Sequence, residues 1–136
     1  MISNISGLTG QNRKASRLRR QASRLLAERR SLEEVLLGRG PMLRGSLLER
    51  PKFCGKKGCT CTRGESHPPG LYLSRLVEGV ARHLFIRSAD HERARREAQA
   101  YKEFHQALRR CRVIDRELGD LWGALGRVRE EGYPFA

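Results

Sequence analysis

At 136 residues and 15.5 kDa, the chain has room for one ordinary domain, or for a small domain carrying a long helical extension, which excludes a multidomain enzyme. Hydrophobic residues make up 38% and aromatics 6%, too little for compact burial alone to hold a fold, so helix pairing, a metal or a partner has to contribute. With 28 Lys+Arg against 15 Asp+Glu the formal charge is +13, and a field of that sign favours polyanions, nucleic acid first among them.

Residues 1–10 read as a flexible N-terminus. No basic start leads into an apolar run there, and no stretch of 18 consecutive apolar residues occurs anywhere, so neither secretion nor membrane insertion is indicated and a cytoplasmic setting is expected. Residues 11–38 follow as a basic amphipathic helix. Ala15, Leu18, Ala22, Leu25, Leu32 and Leu36 recur at spacings of three, four and seven, the stripe that a 3.6-residue period puts on one face. Arg29 interrupts that stripe at a core position, and Gly38, Gly40 and Pro41 end it. Residues 11–30 hold eight basic residues and one acid, Glu28. Solvated helices ordinarily alternate sign, so this excess points to an anionic partner more than to a merely hydrated face. Arg13, Arg17, Arg20 and Arg24 share a helical spacing and, with Lys14, are candidate phosphate contacts.

Residues 39–70 form a second basic stretch built around Cys54, Cys59, Cys61 and His67, spaced C-x4-C-x-C-x5-H. Clustered thiols in a reducing compartment are more often metal ligands than disulfides. Three thiolates and a neutral imidazole would complete a tetrahedral zinc site and leave no position for water, so such a site is structural rather than catalytic. Gly55, Gly58 and Gly64 give a short loop the freedom to wrap one ion. The alternatives are a loop with free thiols, a Cys54–Cys61 disulfide, or Cys111 in place of His67 as fourth ligand; Cys111 also fits as a small buried residue on a helix stripe. Lys52, Lys56, Lys57 and Arg63 surround the cluster and could donate to sulfur or face phosphate.

Residues 71–87 are expected to form a β-hairpin: Leu71 to Val77, a Glu78-Gly79 turn, and Val80 to Ile86, with Val77 opposite Val80. That register puts Leu71, Leu73, Leu84 and Ile86 on one face with Arg75 and Arg82 toward the turn, and Tyr72, Leu76, His83 and Phe85 on the other. Arg75 and Arg82 are further candidates for a nucleic-acid groove, and Tyr72, Phe53 or His83 for stacking on an unpaired base. Residues 88–131 are expected as one long C-terminal helix capped by Ser88 or Asp90. Its apolar positions run Ala98, Tyr101, Phe104 or His105, Leu108, Cys111, Ile114, Leu118, Leu121, Leu125 and Val128, with one step skipped between Leu108 and Ile114. Ten basic and nine acidic residues over 90–131 suit salt-bridged solubility, with Glu92, Glu97, Glu103 and Asp115 available to Arg96, Arg93, Arg110 or Arg112. Residues 132–136 are a tail. The fold class expected is mainly α with a small β-hairpin: an antiparallel hairpin of long helices joined by a compact zinc-stapled loop and two strands.

Arg44-Gly45-Ser46-Leu47-Leu48-Glu49-Arg50, followed by Cys54-Gly55-Lys56, Cys59, Cys61, Gly64, His67, Pro69 and Tyr72-Leu73-Ser74, resembles an uncharacterised bacterial family of small arginine-rich proteins. That family carries the pattern G-S-L-x-E-R-x3-C-G-K-x2-C-x-C-x2-G-x2-H-x-P-x2-Y-L-S ahead of a hairpin and a helix. The resemblance covers roughly residues 42–130 and leaves out residues 1–40. It implies a metal-stapled module in a bacterial protein, often encoded near mobile-element genes, and no reaction type. The family has a tyrosine-rich strand where this chain has Pro69-Gly70-Leu71-Tyr72.

The function these features favour is a zinc-stapled accessory protein binding DNA or RNA through phosphates. The other is a helical adaptor whose C-terminal helix, with Leu121, Trp122 and Leu125, docks on a second copy or on a larger nuclease, transposase or ribonucleoprotein. Catalysis is not expected: there is no G-x4-G-K-[ST], no H-x-E with a later P-C-x2-C, and no G-x-S-x-G. Glu49 is the one acid to test for chemistry, and an ion pair with an arginine is its better explanation.

Overall fold

A computed structural model describes the backbone of residues 5–52, 58 and 67–131 and, apart from 5–9, 11, 52, 67 and 68, their side chains. The elements run α1 (Ile5–Leu36), β1 (Ser46–Lys52), β2 (His67–Val77), β3 (Val80–Ile86), a single 3-10 turn (Ser88–Asp90) and α2 (His91–Glu130). The protein is mainly helical, with two helices and a small antiparallel sheet. It divides into two compact units, Met1–Gly38 with Phe104–Ala136, and Arg39–Glu103.

The first unit is a helix pair. Ala22 on α1 packs with Ile114 and Leu118 on α2, flanked by Leu25, Leu32 and Leu121. Glu28 and Arg29 meet Arg110 and Asp115, while Leu18 shares a groove with Ala124 and Val128. Rising numbers on α1 meet falling numbers on α2, so the helices run antiparallel, as the two apolar stripes require when folded on each other. Ala15, Ala22, Ala107 and Cys111 are all buried, and small side chains at these seam positions let the backbones approach. Ala107 also removes the skipped step in the stripe: Ala107, Cys111, Ile114, Leu118 and Val128 are buried, and Leu108 lies beside the seam only partly covered. α1 begins at Ile5, earlier than its apolar stripe, because extending a formed helix costs little compared with nucleating one. It ends at Leu36, with Gly38 N–H donating to the Val35 carbonyl and Gly40 at a φ of +107°.

The second unit is built on a three-stranded sheet in the order β1-β2-β3, one strand more than the hairpin expected. β2 and β3 keep the expected register, from Val77↔Val80 to Leu71↔Ile86. Glu78 and Gly79 both have positive φ, 52° and 80°, as a type I′ hairpin turn demands. The additional strand, β1, lies within residues 39–70 and pairs Ser46↔Ser74 through Arg50↔Gly70, then Lys52↔His67 after a register shift. Pro51 and Pro68-Pro69 fall at that shift, where the missing N–H groups break fewest ladder bonds. Gly45 enters β1 at a φ of +126°, and a Cβ there would sit 2.6 Å from the Ser74 carbonyl oxygen. Only glycine satisfies both conditions.

Leu71 and Leu73 on central β2 are each 1% exposed and form the heart of this unit. The start of α2 is tied to the sheet by two bonds, Arg95 Nη2 to Glu49 Oε1 at 2.9 Å and the His91 ring with the Ile86 carbonyl at 3.0 Å, and to the segment leading into β1 by a third, Leu43 N–H to the Glu97 carbonyl at 3.0 Å. Glu49 is thus an ion-pair partner. Asp90, expected as a cap, has its carboxylate within 3.4 Å of Arg87 and 3.6 Å of Arg93.

Candidate nucleic-acid interface

α1 positions the cationic candidates because its apolar stripe is committed to α2. With Ala15, Ala22 and Leu25 turned inward, Arg13, Arg17 and Arg20 fall on the far side of the helix, spaced by one turn. They line a shallow depression together with Asn12 and Ser16. Asn12, Ser16 and Arg20 share the four-residue spacing that would have grouped them from sequence; charge alone hid the two polar residues. Arg13, Lys14, Arg17, Arg20 and Arg24 are all exposed, and among the described residues none is in an ion pair or a side-chain hydrogen bond.

The contrast lies one turn further along. Arg29, the residue that interrupted the stripe, donates from Nε to Asp115 Oδ1 at 2.8 Å and also bonds Glu33. Its pKa is raised by the bond to Asp115 first and by that carboxylate's charge second. Glu28, the single acid of the basic stretch, takes a two-pronged bond from Arg110, Nε at 2.6 Å and Nη2 at 2.8 Å. That hydrogen bonding holds Glu28 below the usual carboxylate range and raises Arg110. These partners differ from those expected within α2: Asp115 serves Arg29 and Arg110 serves Glu28, while Glu97 stays near Arg93 at 4.0 Å. The far end of α1 is therefore neutralised across the helix pair, and the Arg13–Arg20 face is not.

Not every candidate shares that face. Lys14 and Arg17 also border a groove with Leu18, Ala124, Arg127, Val128 and Glu131. Arg24 lines a groove with Glu117 and Asp120, which sets it against acids that Arg13 and Arg20 do not meet. Arg75 and Arg82 belong to the sheet unit, where they sit directly opposite each other in register and exposed. Two like charges across a strand pair disfavour the pairing unless an anion lies between them.

Lys56, Lys57 and Arg63 lie outside the described residues, as do Cys54, Cys59, Cys61 and Phe53. Of Lys52 and His67 only the backbone is described, and these two are strand partners in the β1–β2 ladder. Cys111 is buried with a free thiol, and its place on the α2 seam explains it as a small apolar residue. Tyr72 stacks edge-on against Phe85, with ring centroids 5.4 Å apart. Among the described residues no helix is long and apolar enough to cross a membrane. Compared with protein-family models, curated proteins and solved structures, the chain has no match.

Proposed function

We propose that this chain is a non-catalytic nucleic-acid-binding accessory protein that contacts phosphates through the basic face of α1 and through a zinc-stapled Cys loop. The observation that carries this reading is the unneutralised Arg13–Arg17–Arg20 face, set against an Arg29 and a Glu28 that are fully partnered on the same helix. Guanidinium groups one turn apart can follow a phosphate backbone, and they give affinity without sequence preference. Arg75 and Arg82 supply a second cationic pair on the sheet unit. Cys54, Cys59, Cys61 and His67 would hold the zinc. Support for that staple comes from the Lys52↔His67 pairing, which brings the two chain positions flanking residues 53–66 side by side, so a fourth ligand can come from the far end of the segment that supplies the thiolates.

The test is a binding titration on duplex DNA and on single-stranded RNA across a salt series. Arg17→Glu with Arg20→Glu should weaken binding alike for all sequences and reduce the slope of log K against log salt by about two. Unchanged affinity removes α1 from the interface. For the staple, metal analysis of protein purified without added zinc should give close to one ion per chain, and Cys59→Ser should release it.

A further inference from the structure

The groove at Arg24 has a pattern that the phosphate-binding reading does not use. Its floor is apolar, made of Leu25 from α1 with Leu121 and Ala124 from α2, and it encloses about 560 Å³. Its walls carry opposite charge: Arg24 on the α1 side, Glu117 and Asp120 on the α2 side. Arg24 and Asp120 have no ion pair or side-chain hydrogen bond among the described residues, and Glu117 acts only through its charge on Arg110. A two-helix pair buries one stripe of each helix and leaves such a lateral trough open, and the common completion is a four-helix bundle.

We propose that this trough is the interface of a homodimer in which two helix pairs pack face to face about a two-fold axis running along the groove. A two-fold axis parallel to the helices lays α1 of one copy over α2 of the other, at the same level and in the opposite direction. Arg24 of each copy then faces Glu117 and Asp120 of the other, twice over, while the leucine and alanine floors meet between them. A trough with walls of one sign would repel its own copy in this arrangement; opposite walls make it self-complementary. A nucleic acid is a poor occupant, since Glu117 and Asp120 would face its phosphates. Arg13 and Arg20 lie clear of this trough, whereas Lys14 and Arg17 border the next stretch of groove, which shares Ala124 with it, so the dimer leaves the outer side of the cationic face open and draws Lys14 and Arg17 toward its seam. The proposal stands independently of nucleic-acid binding and is tested without any.

The experiment is sedimentation equilibrium of the full chain between micromolar and hundreds of micromolar concentrations. The wild type should show a monomer–dimer equilibrium. Arg24→Glu should raise the dimer dissociation constant at least tenfold, and so should Glu117→Arg combined with Asp120→Arg. An equimolar mixture of the two variants should restore association, because both contacts in the mixed dimer pair opposite charges, although the groove within each chain stays like-charged. Circular dichroism of each variant confirms that the helices persist. A wild type that remains monomeric overturns the proposal. So do reversals without effect, and a mixture that fails to recover, which would place the charges in contact only within one chain.

Discussion

The helix pair and the sheet unit reach stability by different routes. The helix pair spreads a thin seam of alanine, leucine, isoleucine and cysteine over many turns and reinforces it with charge pairs between helices. The sheet unit concentrates its burial in Leu71 and Leu73 and depends on backbone geometry at Gly45 and Gly79. A seam of small contributions tolerates cationic residues along its outer side, which is where the candidate interface lies; a sheet whose burial rests on two leucines has little to spare.

The largest expected effects break the two cores. Ile114→Ala and Leu73→Ala should each cost about 2–5 kcal/mol in urea unfolding, since both side chains are almost wholly buried. A loss below about 1 kcal/mol at either site would mean that the seam or the sheet is not packed as described. Gly45→Ala comes next, at about 1–3 kcal/mol, because it combines left-handed backbone with a clash against the Ser74 carbonyl. A neutral result would require β1 to leave the sheet, visible as lost amide protection at Leu47 and Leu73.

Acid should weaken the charge pair between the helices. The folded-state pKa of Glu28 is depressed by Arg110, so its contribution is present above the unfolded value of about 4.3 and fades as pH falls through the lower folded value. Acid titration of the wild type against Glu28→Gln should therefore show curves that differ above pH ~4.5 and converge below it; parallel curves would remove this pair from the stability of the helix pair. The smallest effect is expected at the hairpin turn. Glu78→Asn should raise stability by less than about 1 kcal/mol, since asparagine accepts the positive φ more readily than glutamate.

What could be seen in the sequence followed from local periodicity. The stripe of α1, the length of α2 and the Val77↔Val80 register depend on residues a few positions apart, and the structure has all three. β1 escaped because Ser46–Lys52 places two leucines side by side and carries Pro51, so it neither alternates nor reads as a strand; its pairing with β2 is what makes it one. The role of Arg29 was hidden for a similar reason. Its partner Asp115 is 86 residues away, and no spacing rule reaches that far. On the candidate interface, the arginine spacing was legible, whereas the division between an outward face and a groove wall at Arg24 needed the second helix.

The two borders of the sheet are unlike in one further respect. β1 forms one border and is interrupted by Pro51 beside the charged Glu49 and Arg50, features that discourage a foreign strand from annealing there. β3 forms the other, without proline, and keeps Val80, Leu84 and Phe85 substantially exposed. Among the described residues, strand addition is thus discouraged along β1 by features that β3 does not share.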